Sequence, residues 1–237
     1  MAGTLFLLPC PIAKGTESAV MPPDVAALAR TLTCFLAENA KSTRAFLKSI
    51  DHPQPLRELQ IVEIGHAPDD RAAEEWLRPI LDGVDAAIVS EAGCPAVADP
   101  GANIIAVAHR LGIRVRPLVG PSALLLALMA SGLNGQRFRF HGYLPVDAVE
   151  RARRLQALER DSRSGETQVF IETPYRSRAM FDAILSACAP ETSLAVSADL
   201  TSPSEYAVTR SISRWRQAPA RPQIERRPVV FSLLAQR

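Results

Sequence analysis

The stretch from Ala86 to Pro145, AAIVSEAGCPAVADPGANIIAVAHRLGIRVRPLVGPSALLLALMASGLNGQRFRFHGYLP, decides the fold class. Two short runs, Ala86 to Val89 and Ile113 to Leu118, read as strands. Each is followed by a loop of small residues, Ser90-Glu91-Ala92-Gly93-Cys94-Pro95 and Val119-Gly120-Pro121-Ser122-Ala123, and each loop leads towards a helical pattern. The first helix, Gly101 to Leu111, is closed by Gly112, and the second, Ser122 to Ser131, by Gly132. Loops at the carboxyl ends of strands in an open α/β sheet are where ligands bind, so the two loops are expected to form two walls of one small-molecule site.

The same alternation extends towards the N-terminus. Thr4 to Leu8 is a strand ended by Pro9 and Pro11. Asp24 to Leu36 reads as helix running into a short strand, and Ser42 to Ser49 as a short helix with Ser42 as its N-cap. Leu59 to Ile64 is a strand, and Asp69 to Leu81 a helix stopped by Asp82-Gly83. Strand and helix taking turns in this way imply a largely parallel sheet. After Gly132 the texture changes. Strands are expected at Phe138 to Tyr143, Val169 to Glu172, Ser193 to Ala198, Tyr206 to Ile212 and Val229 to Leu234, and helices at Ala148 to Arg160 and Arg176 to Ala187. Some antiparallel pairing follows from that spacing. The expected architecture is two α/β domains, residues 1–118 with a mostly parallel sheet and 119–237 with a mixed one. Ala218 to Pro228, rich in Pro and Arg, reads as an exposed connection.

Composition narrows the classes of function. With 47% hydrophobic and 22% charged residues, the 237-residue chain is globular rather than disordered. Its longest uninterrupted apolar run, Ala123 to Ala130, is far too short to span a bilayer. The start, MAGTLFLLPCPIAKG, lacks a basic region and reads as a strand, not a signal peptide. Cys10, Cys34, Cys94 and Cys188 form no Cys-x-x-Cys pair, and His52, His66, His109 and His141 fit no ligand spacing. No metal site is expected, and a reducing, cytoplasmic location is. Charge is uneven along the chain. Residues 1–136 hold 11 Lys and Arg against 14 acids, while 137–237 hold 16 Arg, no Lys and 11 acids. An Arg-only excess suits planar recognition of phosphates; a coding bias towards Arg explains it equally well.

The chemistry-bearing segments lack the standard fingerprints. There is no Gly-x-Gly-x-x-Gly, Walker A or Gly-x-Ser-x-Gly. Ser122 reads either as an N-cap or as a ligand contact made from that cap. Gly93 permits close backbone approach and Pro95 stiffens the loop exit. Asp99-Pro100-Gly101 reads as a turn that starts a helix. Phe170-Ile171-Glu172-Thr173-Pro174-Tyr175-Arg176 ends a buried strand in a carboxylate. That carboxylate is either functional or half of a Glu172–Arg176 ion pair, with Thr173 capping the next helix as a further structural option.

Taken in order, these segments resemble the tetrapyrrole methylase-like S-adenosylmethionine-dependent methyltransferases, in particular the branch of the small-subunit ribosomal RNA methyltransferases. The resemblance is carried by LFLLPCPIAK (Leu5 to Lys14), VSEAGCP (Val89 to Pro95) followed by Asp99-Pro100-Gly101, VGPSA (Val119 to Ala123), Gly142-Tyr143-Leu144-Pro145 and FIETPYR (Phe170 to Arg176). It implies two α/β domains with an S-adenosyl-L-methionine cleft between them, usually in a homodimer. It further implies cofactor contacts from Ser90, Ala92, Gly93, Cys94, Pro95, Val97, Ser122 and Ala123, with Tyr175 closing the site. For a ribose hydroxyl acceptor a base assists. Glu38 and Glu172 are the candidates, and Arg44 or Arg176 would hold a phosphate or carboxylate.

Departures from that pattern fall on the substrate side. The branch's Ala-Glu-Asp-Thr-Arg is here Ala37-Glu38-Asn39-Ala40-Lys41-Ser42-Thr43-Arg44. Its Arg-Glu-Leu-Thr-Lys becomes Ala198-Asp199-Leu200-Thr201-Ser202, and its Gly-Asn becomes Ala13-Lys14. Three functions are therefore open: methylation of RNA, methylation of a small molecule or protein, and cofactor binding without catalysis.

Overall fold

In the computed structural model, which describes residues 2–65 and 67–236, the chain divides into two compact units, Met1–Ser122 and Ala123–Arg237. The first contains β1 (Thr4–Leu8), α1 (Glu17–Val20), α2 (Pro23–Ala29), β2 (Cys34–Ala37), α3 (Ala40–Ser49), β3 (Gln60–Glu63), α4 (Asp70–Leu81), β4 (Ala86–Val89), α5 (Gly101–Arg110) and β5 (Arg114–Pro117). All five strands run parallel in the order β3-β2-β4-β1-β5. The central strands are apolar at nearly every position because both sheet faces are covered. Phe6, Leu8, Phe35 and Val89 point to one face, where they pack on Val25 and Ala29 of α2 and Phe46 and Leu47 of α3. Leu5, Leu36, Ala86 and Ile88 point to the other, against Leu77 and Ile80 of α4 and Ile104 and Val107 of α5.

That division of helices positions the site. The chain leaves β1 over one face, towards α2, and leaves its neighbour β4 over the opposite face, towards α5. Adjacent strands whose connections depart on opposite faces open a crevice at their carboxyl ends.

The sequence reading put the N-cap of α3 at Ser42, and the structure corrects this. Asn39, in an extended conformation, is the cap, and its side-chain oxygen accepts from the backbone N–H of Lys41 at 3.0 Å and of Ser42 at 3.1 Å. Asn is among the strongest capping residues, and here it starts the helix two residues earlier. Asn39→Ala is expected to cost about 1 kcal/mol in urea unfolding, and Ser42→Ala only a few tenths.

The second unit contains α6 (Ala123–Ser131), β6 (Phe138–Tyr143), α7 (Ala148–Ser162), β7 (Thr167–Glu172), α8 (Ser177–Ala187), β8 (Ser193–Ala198), β9 (Tyr206–Ser211), α9 (Ile212–Gln217) and β10 (Val229–Leu234). Its sheet is mixed, in the order β6-β7-β10-β8-β9, with β6 and β7 parallel and the other pairs antiparallel. Helices α7, α8 and α9 cover one face through Leu155, Leu158, Phe181, Ile184 and Trp215, and α6 covers the other. The short helices α1 and α9 fall where the sequence reading placed none. The reading extended the ninth strand to Ile212, whereas Ser211 stops it by accepting the Arg214 N–H and capping α9.

Candidate functional site

Three loops meet at the carboxyl ends of β1, β4 and β5. Cys10, just past β1, exchanges two backbone hydrogen bonds with Gly93, just past β4, at 2.9 and 3.0 Å. Gly93 has φ +75°, a conformation a side chain would strain. The Cys94 thiol sits 3.4 Å from the Pro121 carbonyl, so the loop after β4 also touches the loop after β5. At Gly120 an added Cβ would lie 2.3 Å from Cβ of Pro9. The proline-rich start and the VGPSA segment thus lie in direct contact, and only a glycine fits there.

The β4 loop is held from inside. Ser90 is buried and donates its hydroxyl to the Gly93 carbonyl at 3.2 Å. Pro95 is buried, while Ala92 and Val97 are exposed. Asp99 organises the remainder, since Oδ1 accepts from the N–H groups of Ala96 at 2.7 Å and Gly101 at 2.8 Å. Ala96 and Ala98 both have positive φ, 66° and 64°, an arrangement costing about 1–2 kcal/mol per residue. Such stored strain gathers at ligand-binding loops. Asp99 Oδ2 is buried with no hydrogen-bond partner among the described residues, an acceptor that fits a donor on a bound polar ligand. The sequence reading takes Asp99 for a simple turn residue and gives Cys10 and Gly120 no role of their own within their segments. The signal available was that all three lie inside segments carrying the family resemblance.

At the carboxyl end of β2, Glu38 accepts the Glu91 N–H at 2.9 Å, tying its loop to that of β4. Arg44 is exposed on α3, with one contact to the Ala40 carbonyl at 3.4 Å. Ser122 is partly buried and directly precedes α6, whose first residue is Ala123.

In the second unit, Glu172 ends β7 with its side chain fully buried. Arg176 grips it through Nε to Oε1 at 3.0 Å and Nη2 to Oε2 at 2.5 Å, and Thr173 N–H adds a bond to Oε1 at 2.7 Å. Arg176 also donates to the Leu144 carbonyl at 3.1 Å. Both carboxylate oxygens are therefore taken, and the pair braces the Thr173-Pro174 turn. Tyr175 stands out from that turn, 95% exposed.

All four cysteines are free thiols. Burial raises the pKa of each, with Glu17 and Glu38 adding to the effect at Cys10 and Glu159 at Cys188, which is pushed up to about 12. None is an activated nucleophile. Cys94 alone is not classed with the buried residues, so iodoacetamide is expected to label it first, and slowly, in peptide mass spectra of the native protein. Equal labelling of Cys10 would contradict the packing described. Among the described residues no group of three His, Cys, Asp or Glu is placed to hold a metal ion, and no helix is long and apolar enough to cross a membrane. His66 lies outside the described residues.

A parallel sheet whose carboxyl-end loops interlock around a strained small-residue turn defines the first unit as an open α/β layer. Residues 21–214 match the model of the tetrapyrrole (corrin/porphyrin) methylases, and the chain belongs to that family. It is 36% identical over 175 residues to a ribosomal RNA small subunit methyltransferase I of Xylella fastidiosa, covering 73% of this chain and 60% of that protein. It is 33% identical over 176 residues to the protein of the same name in Pseudomonas aeruginosa, covering 74% and 58%. The chain thus spans about three fifths of the length of these curated relatives. Among solved structures, the methyltransferase CobJ superposes with a TM-score of 0.63 at 17% identity, covering 99% of this chain and all of that one. The uroporphyrin-III C-methyl transferase of Thermus thermophilus, complexed with S-adenyl homocysteine, gives 0.56 at 17% identity, covering 98% and 97%. These likenesses establish the fold.

Proposed function

We propose that this protein is an S-adenosyl-L-methionine-dependent methyltransferase acting on RNA, with small-subunit ribosomal RNA as the substrate class. The observation that carries the reading is the interlocked loop cluster Cys10–Gly93–Pro121, built from the segments shared with the family. The names of the similar proteins support RNA as the acceptor. The cofactor contacts we assign are Ser90, Ala92, Gly93, Cys94, Pro95, Val97, Ser122 and Ala123, together with the exposed ring of Tyr175. The residues fit such a ligand: the loop is small and tightly turned, offers main-chain donors and acceptors, and carries the unpartnered Asp99 Oδ2. When bound, the cofactor supplies an already activated methyl group. What remains for the chain is to bind, orient and exclude water. We assign proton removal from the acceptor hydroxyl to Glu38, which follows β2 directly and is tied by its carboxylate to the loop after β4; Glu172, held by Arg176 and Thr173, is assigned to bracing its own turn. Arg44, exposed about one turn into α3, is assigned to an acceptor phosphate. A homodimer in the cytoplasm completes the proposal.

Incubation with radiolabelled methyl donor and fractionated extract tests it. Label is expected in RNA of the small subunit, and Glu38→Gln is expected to slow transfer by about 10²–10⁴-fold. Label in protein or small molecules would replace the substrate. The altered segments at Lys14 and Asp199 to Ser202 favour that second reading. Failure to bind the cofactor in calorimetry would end both readings.

A further inference from the structure

The C-terminal charge excess is confined to one segment. Residues 206–228 contain six Arg and one Glu, net +5, while the other residues of 137–237 contain ten Arg and ten acids. The segment comprises the sheet-edge strand β9, helix α9 and the connection that leads to β10. From Tyr206 to Gln217 it holds Arg210, Arg214 and Arg216 and no acid at all.

The structure shows how these charges are kept. Arg221 pairs with Asp182, and Arg227 with Asp199 at 3.2 Å. The other four have no carboxylate within ion-pair distance among the described residues. The Arg210 guanidinium lies 4.9 Å over the Trp215 ring, which fixes its plane. Arg216 donates Nε and Nη2 to the Leu185 and Cys188 carbonyls at the end of α8. Those neutral acceptors hold the group rigid and leave its charge uncompensated, and Nη1 has no hydrogen-bond partner among the described residues. Arg214 and Arg226 are exposed. Arg216 also lines an open cavity of about 620 Å³, together with Arg178, Asp182, Leu185, Ser186 and Arg221. Arg178 and Arg221 pair with Asp182 there, and Arg178 also with Glu225 at 3.0 Å, so Arg216 of α9 supplies the cavity's unpaired charge.

We propose that the β9–α9 edge and the adjoining arginine-lined cavity form a docking surface for the phosphate backbone of RNA, separate from the loops that hold the cofactor. The proposal rests on the RNA reading of the function. Charge complementarity selects the occupant. A second copy of the same surface would bring like charges together, and an apolar partner would bury unpaired guanidinium groups at high cost. Planar groups locked by a ring or by carbonyls, with N–H edges left over, suit phosphate oxygens and lose little entropy on contact.

The test compares the full chain with R214Q/R226Q, with R210Q/R214Q/R216Q/R226Q, and with a control, R57Q/R71Q/R78Q, on the first unit. Affinity for transcribed small-subunit ribosomal RNA is measured by filter binding across a salt series, and cofactor affinity by calorimetry. Arg214 and Arg226 are exposed and make no side-chain hydrogen bond or ion pair among the described residues, so the double variant is expected to fold normally. Each lost phosphate contact lowers the slope of log affinity against log salt by about 0.7–0.9. The double variant should lose about 1.5 in slope and the quadruple variant about 3, with affinity down at least about 30-fold near 0.1 M salt. Cofactor affinity should stay unchanged, and the control should keep its slope. Unchanged slopes in both variants while the wild type binds RNA would overturn the surface and leave the RNA reading intact. A wild type that binds cofactor but shows no salt-dependent binding of RNA would remove the RNA reading and the surface with it. Equal loss of polyglutamate binding, with RNA binding unaffected, would assign the surface to an acidic protein instead.

Discussion

Arg176→Ala is expected to destabilise the protein by about 3–5 kcal/mol, the usual cost of leaving one partner of a buried ion pair alone. The Glu172 side chain is fully buried and Arg176 is only 25% exposed, so solvent offers little compensation. Two charge-assisted hydrogen bonds disappear, and the Leu144 carbonyl loses its donor as well. Urea unfolding should show a lower midpoint at an unchanged slope. Replacing both partners, as in Glu172→Leu with Arg176→Leu, should recover most of the loss, because neither charge then stays buried. A cost below about 1 kcal/mol for Arg176→Ala would mean that the pair behaves like an exposed bridge. Glu172 would then be freer than its geometry shows, and its claim to a role in proton transfer would return. Loosening of the Thr173-Pro174 turn should also weaken any ligand contact made by Tyr175.

The parts of this fold that could be read from the sequence are those written in local patterns. β1, β4, β6, β8 and β10 fall at the residues indicated by short apolar runs between turn residues. The parallel first sheet follows from strand–helix alternation, and the mixed second sheet from its loss after Gly132. Contacts made by backbone alone are silent in composition, so nothing in Cys10 or Gly93 announces the two hydrogen bonds that join them. Asn39 was passed over as a cap because Ser42 satisfied the same rule three residues later. The two readings of Glu172 stand equal in the sequence; the spacing of four residues to Arg176 is the clue, and three hydrogen bonds give the carboxylate its partners. The basic excess and its confinement to residues 206–228 are countable in the sequence; that the segment includes a sheet-edge strand, and that four of its six arginines find no carboxylate among the described residues, depends on the fold.

Gly120→Ala is expected to do the most damage at the loops assigned to the cofactor for the smallest chemical change. The new Cβ would lie 2.3 Å from Cβ and 2.6 Å from Cγ of Pro9, and real carbon atoms do not approach so closely. Overpacking of this kind costs about 1–3 kcal/mol. Relief requires the loops after β1 and β5 to part, and the contacts of Cys94 with Gly120 and Pro121 are made at that same junction. Cofactor affinity in calorimetry should therefore fall by at least about tenfold, the equivalent of 1.4 kcal/mol. Pro9→Gly removes both clashing atoms and leaves only the Pro9 Cα, 3.7 Å away, an ordinary contact. By itself that change should cost about 0.4–1 kcal/mol by freeing the unfolded chain. Combined with Gly120→Ala, it should restore most of the lost affinity, so the two substitutions should be strongly non-additive. Pro9→Ala retains the Cβ and should rescue nothing. If the two rescues are equal, or if Gly120→Ala binds cofactor like the wild type, the loop junction does not support the cofactor, and the assignment of Gly93, Cys94 and Ser122 to that site falls with it.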